Sequence, residues 1–351
     1  MKILFENQHL YYLPQYESII QELKRRKKDD IYLSLSLTVP KIEKDLFNIE
    51  AVRLGIKIIK ANFEPQRCRI LKDMDFDIIF VGNKTSLRSI KGKNSFVVMI
   101  YHGIGLKNSY YTDLTKDMDL ICVESIDREK KLKKRGFNAV CTGFPKLDIK
   151  EIDKKKIPKD KFILYAPTFF PSSLEKTISI LSKLHKYKIK IKLHHFFWTN
   201  PKYISLKNDL ENEINNLSNI SIFPFKNYNI IKLFFSSDLL ITDFSSTIFE
   251  YLIMDQPIIQ MKYYTPRLKY KLFPNLLKKR IDEDRLGQIN FTFNCNKPDE
   301  LIDVIDEARK NPNKHSKERV KASRKFLGRL DNKCSNRILE AILNSGISIG
   351  A

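Results

Sequence analysis

Three histidines stand where apolar runs of strand length end: His102 after residues 96–101, and His194 and His195 after residues 189–193. An α/β protein keeps its ligand and reacting groups at the carboxyl ends of its strands. At His102 a neutral imidazole can take a proton from an incoming hydroxyl near pH 7. The Gly103 that follows allows a close backbone turn and leaves the ring little covered. A histidine hydrogen-bonded within its own loop fits the same position equally well. Gly103, Gly105 and Lys107 suggest a phosphate loop, but Gly-x-Gly alone is a weak signal and the Walker spacing is absent.

A second stretch with chemical content runs from residue 238 to 261. It reads Asp238-Leu-Leu-Ile-Thr242-Asp243-Phe-Ser245-Ser246-Thr247, followed by Ile248, Tyr251 and Leu252 at helical spacing. An apolar run, a polar cluster and a helical stripe predict strand, tight loop and helix. Ser245 or Ser246 suits the N-cap, with Glu250 near the first turn and Pro257 beyond the end. A helix start of this kind offers unpaired N–H groups, the positive end of a dipole and two hydroxyls, which together suit a phosphate. The plainer reading is an ordinary strand-helix joint whose serines only cap.

Other signatures are missing. There is no Gly-x-Ser-x-Gly elbow, no His-Glu-x-x-His and no Asp-x-Asp pair at a strand end, so no metal and no cofactor are expected. The triplet Asp73, Asp75 and Asp77 precedes a strand and reads as a turn, while His9, His185 and His315 read as structural or exposed. Residues 263–273 interleave aromatics and cations, a pattern that can lie on an anionic membrane, stack on nucleic-acid bases, or form a surface loop with a hydrophobic underside.

The elements that would position these groups alternate along the chain. Strands are expected at 1–5, 31–39, 56–59, 76–81, 96–101, 120–123 and 139–142, with helices at 16–27, 42–54 and 125–135 between them. Residues 148–161 are charged and proline-interrupted and read as a linker, centred on 151–161. Alternation then resumes with strands at 162–166, 189–193 and 220–223 and helices at 174–186 and 202–217, and it closes with helices at 299–310, 320–330 and 337–343. This predicts an α/β chain of two Rossmann-like domains, 1–150 and 162–330. A last helix in 331–351 packs back on the first domain, and a cleft lies between the two.

The chain has 351 residues, 42% of them hydrophobic, enough for two cores. No apolar run is long enough to span a membrane, and the start is too short for a secretory signal. Five cysteines at 68, 122, 141, 295 and 334 lack paired spacing and fit free cytoplasmic thiols. A net charge of +22 asks for a negative partner: nucleic acid, anionic lipid or a phosphorylated substrate.

Taken in order, several motifs resemble those of the CDP-glycerol:poly(glycerophosphate) glycerophosphotransferase family. Tyr101-His102-Gly103-Ile104-Gly105-Leu106-Lys107 is similar to its Trp-His-Gly-Thr-Pro-Leu-Lys, and Gly143-Phe144-Pro145-Lys146-Leu147-Asp148 to its Gly-Tyr-Pro-Arg-x-Asp. Leu164-Tyr165-Ala166-Pro167-Thr168-Phe169 resembles Tyr-Ala-Pro-Thr-Phe-Arg, and Lys192-Leu193-His194 resembles Lys-x-His-Pro. The 238–261 stretch looks like Leu-Ile-Thr-Asp-Tyr-Ser-Ser-x-x-Phe-Asp-Tyr, and residues 330–337 look like a closing Asp-Gly-Lys-Ala-Ser-x-Arg. The likeness covers residues 97–340; residues 1–95 carry no family mark.

The resemblance implies a GT-B-like fold, with the acceptor on the domain at 1–150 and the nucleotide held by the domain at 162–330, and transfer of a polyol phosphate from a CDP-polyol to an acceptor hydroxyl. His102 would be the general base, and His194 would meet the diphosphate and help CMP leave. Ser245 and Ser246 would hold phosphate and Glu250 would approach the ribose. The matched motifs add Gly103, Lys107, Pro167, Thr168, Lys192, Thr242, Asp243 and Thr247 to the donor site. The implied partners are a CDP-polyol and a lipid-linked or polymeric glycan acceptor at the inner face of the cell membrane, with the protein cytoplasmic and peripheral, and no nucleic acid. Departures at Ile104-Gly105, His195, Phe170 and Asn332 leave the polyol and acceptor open. The rival readings are an inverting GT-B glycosyltransferase using a nucleotide sugar and a basic nucleic-acid-binding protein.

Overall fold

The computed structural model describes residues 1–26, 29–84, 87–149 and 161–349, so the linker expected at 151–161 lies, apart from Lys161, outside the described residues. The chain divides into two compact units. One comprises Met1–His102, Tyr110–Glu151 and Lys325–Ala351, and the other Gly103–Ser109 and Ile152–Arg324.

Among its described residues the first unit contains β1 (Lys2–Asn7), β2 (Asp30–Leu35), β3 (Lys57–Ile58), β4 (Ile78–Val81), β5 (Phe96–Ile100), β6 (Leu120–Val123) and β7 (Ala139–Cys141). They form one parallel sheet in the order β3-β2-β1-β4-β5-β6-β7. A parallel sheet covered on both faces favours uninterrupted apolar strands, and β4 reads Ile-Ile-Phe-Val with all four residues buried. The expected strand at 31–39 stops at Leu35 because Ser36–Pro40 turns away: Leu37 N donates to Glu64 Oε2 at 2.6 Å, and Pro40 has no N–H to give. One helix absent from the sequence reading, Glu64–Asp73, sends the buried Arg67 to Glu6, Ser34 and Glu64.

The second unit contains β8 (Phe162–Ala166), β9 (Ile189–Ile191), β10 (Ile220–Ile222), β11 (Ser237–Thr242), β12 (Ile258–Met261) and β13 (Phe293–Cys295), parallel in the order β10-β9-β8-β11-β12-β13. Both sheets therefore reverse strand order after their first strand, between β1 and β4 and between β8 and β11. Doubly wound sheets place their ligands outside the carboxyl ends at such a switch point. The fold is α/β and GT-B-like, with two Rossmann-like units.

Two expected helices break or shorten, and the one expected at 320–330 lies at Ser316–Phe326. Residues 174–186 break into Leu174–Ile178 and a 3-10 turn at Leu181–Leu184. The helix after β11 is only Thr247–Glu250 before it tightens to 3-10 at Tyr251–Met254. It is closed by Asp255 in the left-handed region, φ 46°, ahead of Pro257. There Arg319, fully buried, donates to Asp255 Oδ1 at 2.9 Å and to the Asp255 carbonyl at 3.2 Å. The helix Cys334–Leu343 belongs to the first unit, where Asp148 Oδ2 accepts from Ser335 N at 2.9 Å and Ser335 Oγ at 2.7 Å. Arg337 Nε donates to the Thr142 carbonyl at 2.7 Å. The glycine and aspartate motif at 143–148 and the closing motif at 331–337 thus meet each other.

Candidate active site

In the first unit His102 follows β5 and is half-buried. Its Nδ1 lies 3.3 Å from the carbonyl of Gly82, which follows β4. A carbonyl only accepts, so Nδ1 is the nitrogen that donates here, and in the neutral ring Nε2 is the acceptor. That is the tautomer of a base. Tyr12 stacks on the imidazole at 4.7 Å with planes 10° apart, and Tyr11 meets it edge-on at 5.6 Å. Tyr12 is held in turn by Asn83 Nδ2, which donates to its hydroxyl at 2.9 Å, and burial pushes the phenol up to about 12. Gln15 Nε2 donates to the His102 carbonyl. His9, which the sequence marks as structural or exposed, joins this ring cluster, 5.3 Å from Tyr11 and paired through Nδ1 with the buried Glu43 at 3.4 Å.

Gly103 and Lys107 lie in the segment that groups with the second unit. Asn108 N donates to the Arg280 carbonyl at 2.9 Å, Asp282 N donates to the Leu106 carbonyl at 2.9 Å, and Lys107 bridges Ile281. Lys107 Nζ sits 4.5 Å from the Phe169 ring centre. Its pKa falls to about 8, chiefly through burial and then through the neighbouring Arg280, with Asp243 opposing. Arg267 stacks on Phe170 at 3.9 Å and Arg280 lies 6.0 Å from the same ring. Where the family motif has arginine after Thr-Phe, this chain has Phe170 with a guanidinium laid over it.

The loop after β8 carries Pro167 and Thr168, both buried. Asp243, at the end of β11 and fully buried, staples that loop: Oδ1 accepts from Thr168 N at 2.8 Å, and Oδ2 accepts from Ser173 N at 2.8 Å and Ser173 Oγ at 2.9 Å. Burial raises its pKa to about 6, against the pull of those donors. Both oxygens are engaged by the protein, so Asp243 positions the loop. Thr242 Oγ1 donates to the Ala166 carbonyl at 2.8 Å and lies 2.9 Å from Thr247 Oγ1, which makes these two threonines part of the same staple.

Ser245 and Ser246 are half-buried, and of the two it is Ser245 whose hydroxyl takes an amide at the helix start. Ser246, at the N-cap position, makes no capping bond; its hydroxyl donates to Glu250 Oε1 at 2.9 Å, and Ser245 Oγ accepts from Thr247 N at 3.3 Å. A helix this short carries little dipole, so hydroxyls and local amides are what it offers.

His194, after β9, is half-buried with its ring 4.6 Å from Phe169. Its Nδ1 accepts from Phe196 N at 3.2 Å. The proton of the neutral ring then sits on Nε2, the reverse of His102, which is the tautomer of a donor. Lys192 is buried with Nζ donating to the Leu193 carbonyl at 2.8 Å.

A model of the family described as CDP-Glycerol:Poly(glycerophosphate) glycerophosphotransferase matches residues 77–344. Over 126 residues the chain is 33% identical to the teichoic acid glycerol-phosphate primase of Bacillus subtilis (strain 168), a match covering 33% of this chain and 29% of that relative's length. Among solved structures, the wall teichoic acid polymerase TagF, in a variant soaked with CDPG, aligns with a TM-score of 0.69 at 18% identity, over 98% of this chain and 88% of that one. The UDP-GlcNAc 2-epimerase from Neisseria meningitidis bound to UDP-GlcNAc aligns with a TM-score of 0.59 at 15% identity, over 98% of this chain and all of the other. At such identities the two structures speak for the fold.

Proposed function

The chain belongs to the CDP-glycerol:poly(glycerophosphate) glycerophosphotransferase family, and from that membership we propose that it moves an alditol phosphate, glycerol phosphate first, from a CDP-activated donor to an acceptor hydroxyl of a cell-surface polymer. The observation that carries the reading is the crowding of Lys107, Arg267 and Arg280 around Phe169 and Phe170, beside the carboxyl ends of β8 and β11. Cations held this close repel one another until an anion of multiple charge, such as a diphosphate, joins them.

In this reading the acceptor oxygen attacks the phosphorus that bears the glycerol and gives its proton to Nε2 of His102. The bond from that phosphorus to the oxygen bridging to CMP breaks, and His194 Nε2–H with the three cations stabilises the departing CMP. Ser245, Ser246 and the loop of Pro167 and Thr168 hold the donor's phosphates, with Lys192 supporting His194. Thr242, Asp243 and Thr247 shape that loop, and Glu250 orients Ser246. The acceptor is a lipid-linked or polymeric glycan. The protein works as a peripheral protein on the inner face of the membrane; no described helix is long and apolar enough to cross one.

The test follows nucleotide release from CDP-glycerol, CDP-ribitol and UDP-sugars with glycerol-phosphate-primed acceptors. CMP should appear with CDP-glycerol and fall by roughly 10³-fold or more in His102→Ala. No CMP with any acceptor tried would sink the proposal, and release of UDP from a sugar donor would turn it to glycosyl transfer.

A further inference from the structure

Between Asp255 and Asp282 the sequence holds no acidic residue and seven basic ones. Two short helices, Leu268–Leu272 and Pro274–Arg280, occupy the second half of this stretch. Their inner side is seated on their own unit: Tyr270 stacks on Phe170 at 5.2 Å, Leu277 is buried, and Asn108 Nδ2 donates to the Lys279 and Ile281 carbonyls at 2.9 and 3.0 Å. Their outer side is apolar. Leu268 is 72% exposed, Leu272 64%, Phe273 59% and Leu276 38%. Lys269, Lys271, Lys278 and Lys279 are exposed among them.

Large apolar side chains facing water, with four exposed lysines and no acidic residue within the segment itself, are the chemistry of an interfacial segment. A polyanionic polymer would use the lysines and leave Leu272 and Phe273 in water. An anionic lipid surface uses both, because hydrocarbon enters the boundary below the headgroups while the lysines remain among phosphates. We infer that residues 268–280 are the surface by which the protein docks on an anionic lipid leaflet, with Leu272 and Phe273 entering the headgroup-acyl boundary. This rests on the peripheral location proposed above and names its contact. Arg267 precedes this segment and Arg280 is its last residue, so docking brings the donor site to headgroup level, where a lipid-linked acceptor presents its hydroxyl.

The experiment is flotation of the full chain with vesicles of phosphatidylcholine alone or with phosphatidylglycerol added. Binding is expected only with phosphatidylglycerol, and weaker at high salt. The double variant L272S/F273S should lower the partition coefficient about tenfold or more, while CMP release to a soluble acceptor stays unchanged. The pair K269Q/K271Q should lower it roughly 25-fold, from a factor of about five per lysine charge near an anionic surface. Wild-type binding by L272S/F273S, or no binding of the unaltered protein, overturns the inference. Capture of soluble poly(glycerol phosphate) in place of vesicles also overturns it, in favour of a polymer track. Lost CMP release with intact vesicle binding would strike the proposed reaction and leave the docking surface standing.

Discussion

A single methyl group placed on Gly82 tests whether the ring cluster holds the base. A Cβ there would stand 2.7 Å from Tyr12 Cδ2 and 2.9 Å from Cε2. Carbon atoms in contact keep about 3.5–4.0 Å, so the ring must retreat by roughly 0.8 Å. It cannot do so alone, because it stacks on His102 at 4.7 Å and its hydroxyl is tied to Asn83. The Gly82 carbonyl, 3.3 Å from His102 Nδ1, moves with any backbone adjustment. Overpacking of this size costs about 1–3 kcal/mol, and a base displaced by about 1 Å can lose on the order of 10²-fold in rate. Gly82→Ala should therefore lower kcat roughly 10- to 100-fold with little change in KM for the donor, whose proposed phosphate-binding groups lie in the other unit. The assay is a double-mutant cycle with Tyr12→Ala, read by urea denaturation and by CMP release. With the ring gone the methyl meets no clash, so Gly82→Ala should be nearly silent in that background. Equal losses in both backgrounds, or wild-type behaviour of Gly82→Ala, would refute the reasoning.

Two further predictions concern titration. Lys107, with its pKa lowered to about 8 by burial and Arg280, loses its charge as pH rises through that value. KM for the donor should rise above about pH 8, and Lys107→Met should be weaker at all pH and lose that dependence. Asp243 ionises near 3.8 when unfolded and near 6 when folded. Between those values the folded state keeps a proton the unfolded chain has lost, so stability falls as pH rises across the window. The fall is at most ~3 kcal/mol at about 1.4 kcal/mol per pH unit. Asp243→Asn should flatten this part of the urea-midpoint profile, and an unchanged slope would count against it.

The strands were legible because both sheets are buried on two faces and spell themselves as apolar runs, as residues 78–81 and 239–241 do. The helices at 174–186 and after Ser246 were harder, since a periodic stripe does not report where the last turns tighten to 3-10. His102 and His194 could be found as strand ends, but their tautomers could not. Gln15 is 87 residues from His102 in sequence and Gly82 is 20, and no local pattern ties either to it. Asp243 looked like a member of a polar cluster facing a ligand, whereas its partners at Thr168 and Ser173 lie 70 and more residues away. The block at 263–273 signalled its cations and aromatics openly, yet only coordinates separate Tyr270, turned inward, from Leu272, turned out.

The short segment Gly103–Ser109 and the terminal Lys325–Ala351 mean that the backbone changes unit four times, after His102, Ser109, Glu151 and Arg324. Neither half can be excised as one uninterrupted stretch. A fragment ending at residue 151 would forfeit the Asp148 to Ser335 clasp and retain a ribbon whose partners at 279–282 are missing. Recombination between relatives at the linker would inherit the same mismatch, so the whole chain, and not either lobe, is the smallest piece that can be exchanged.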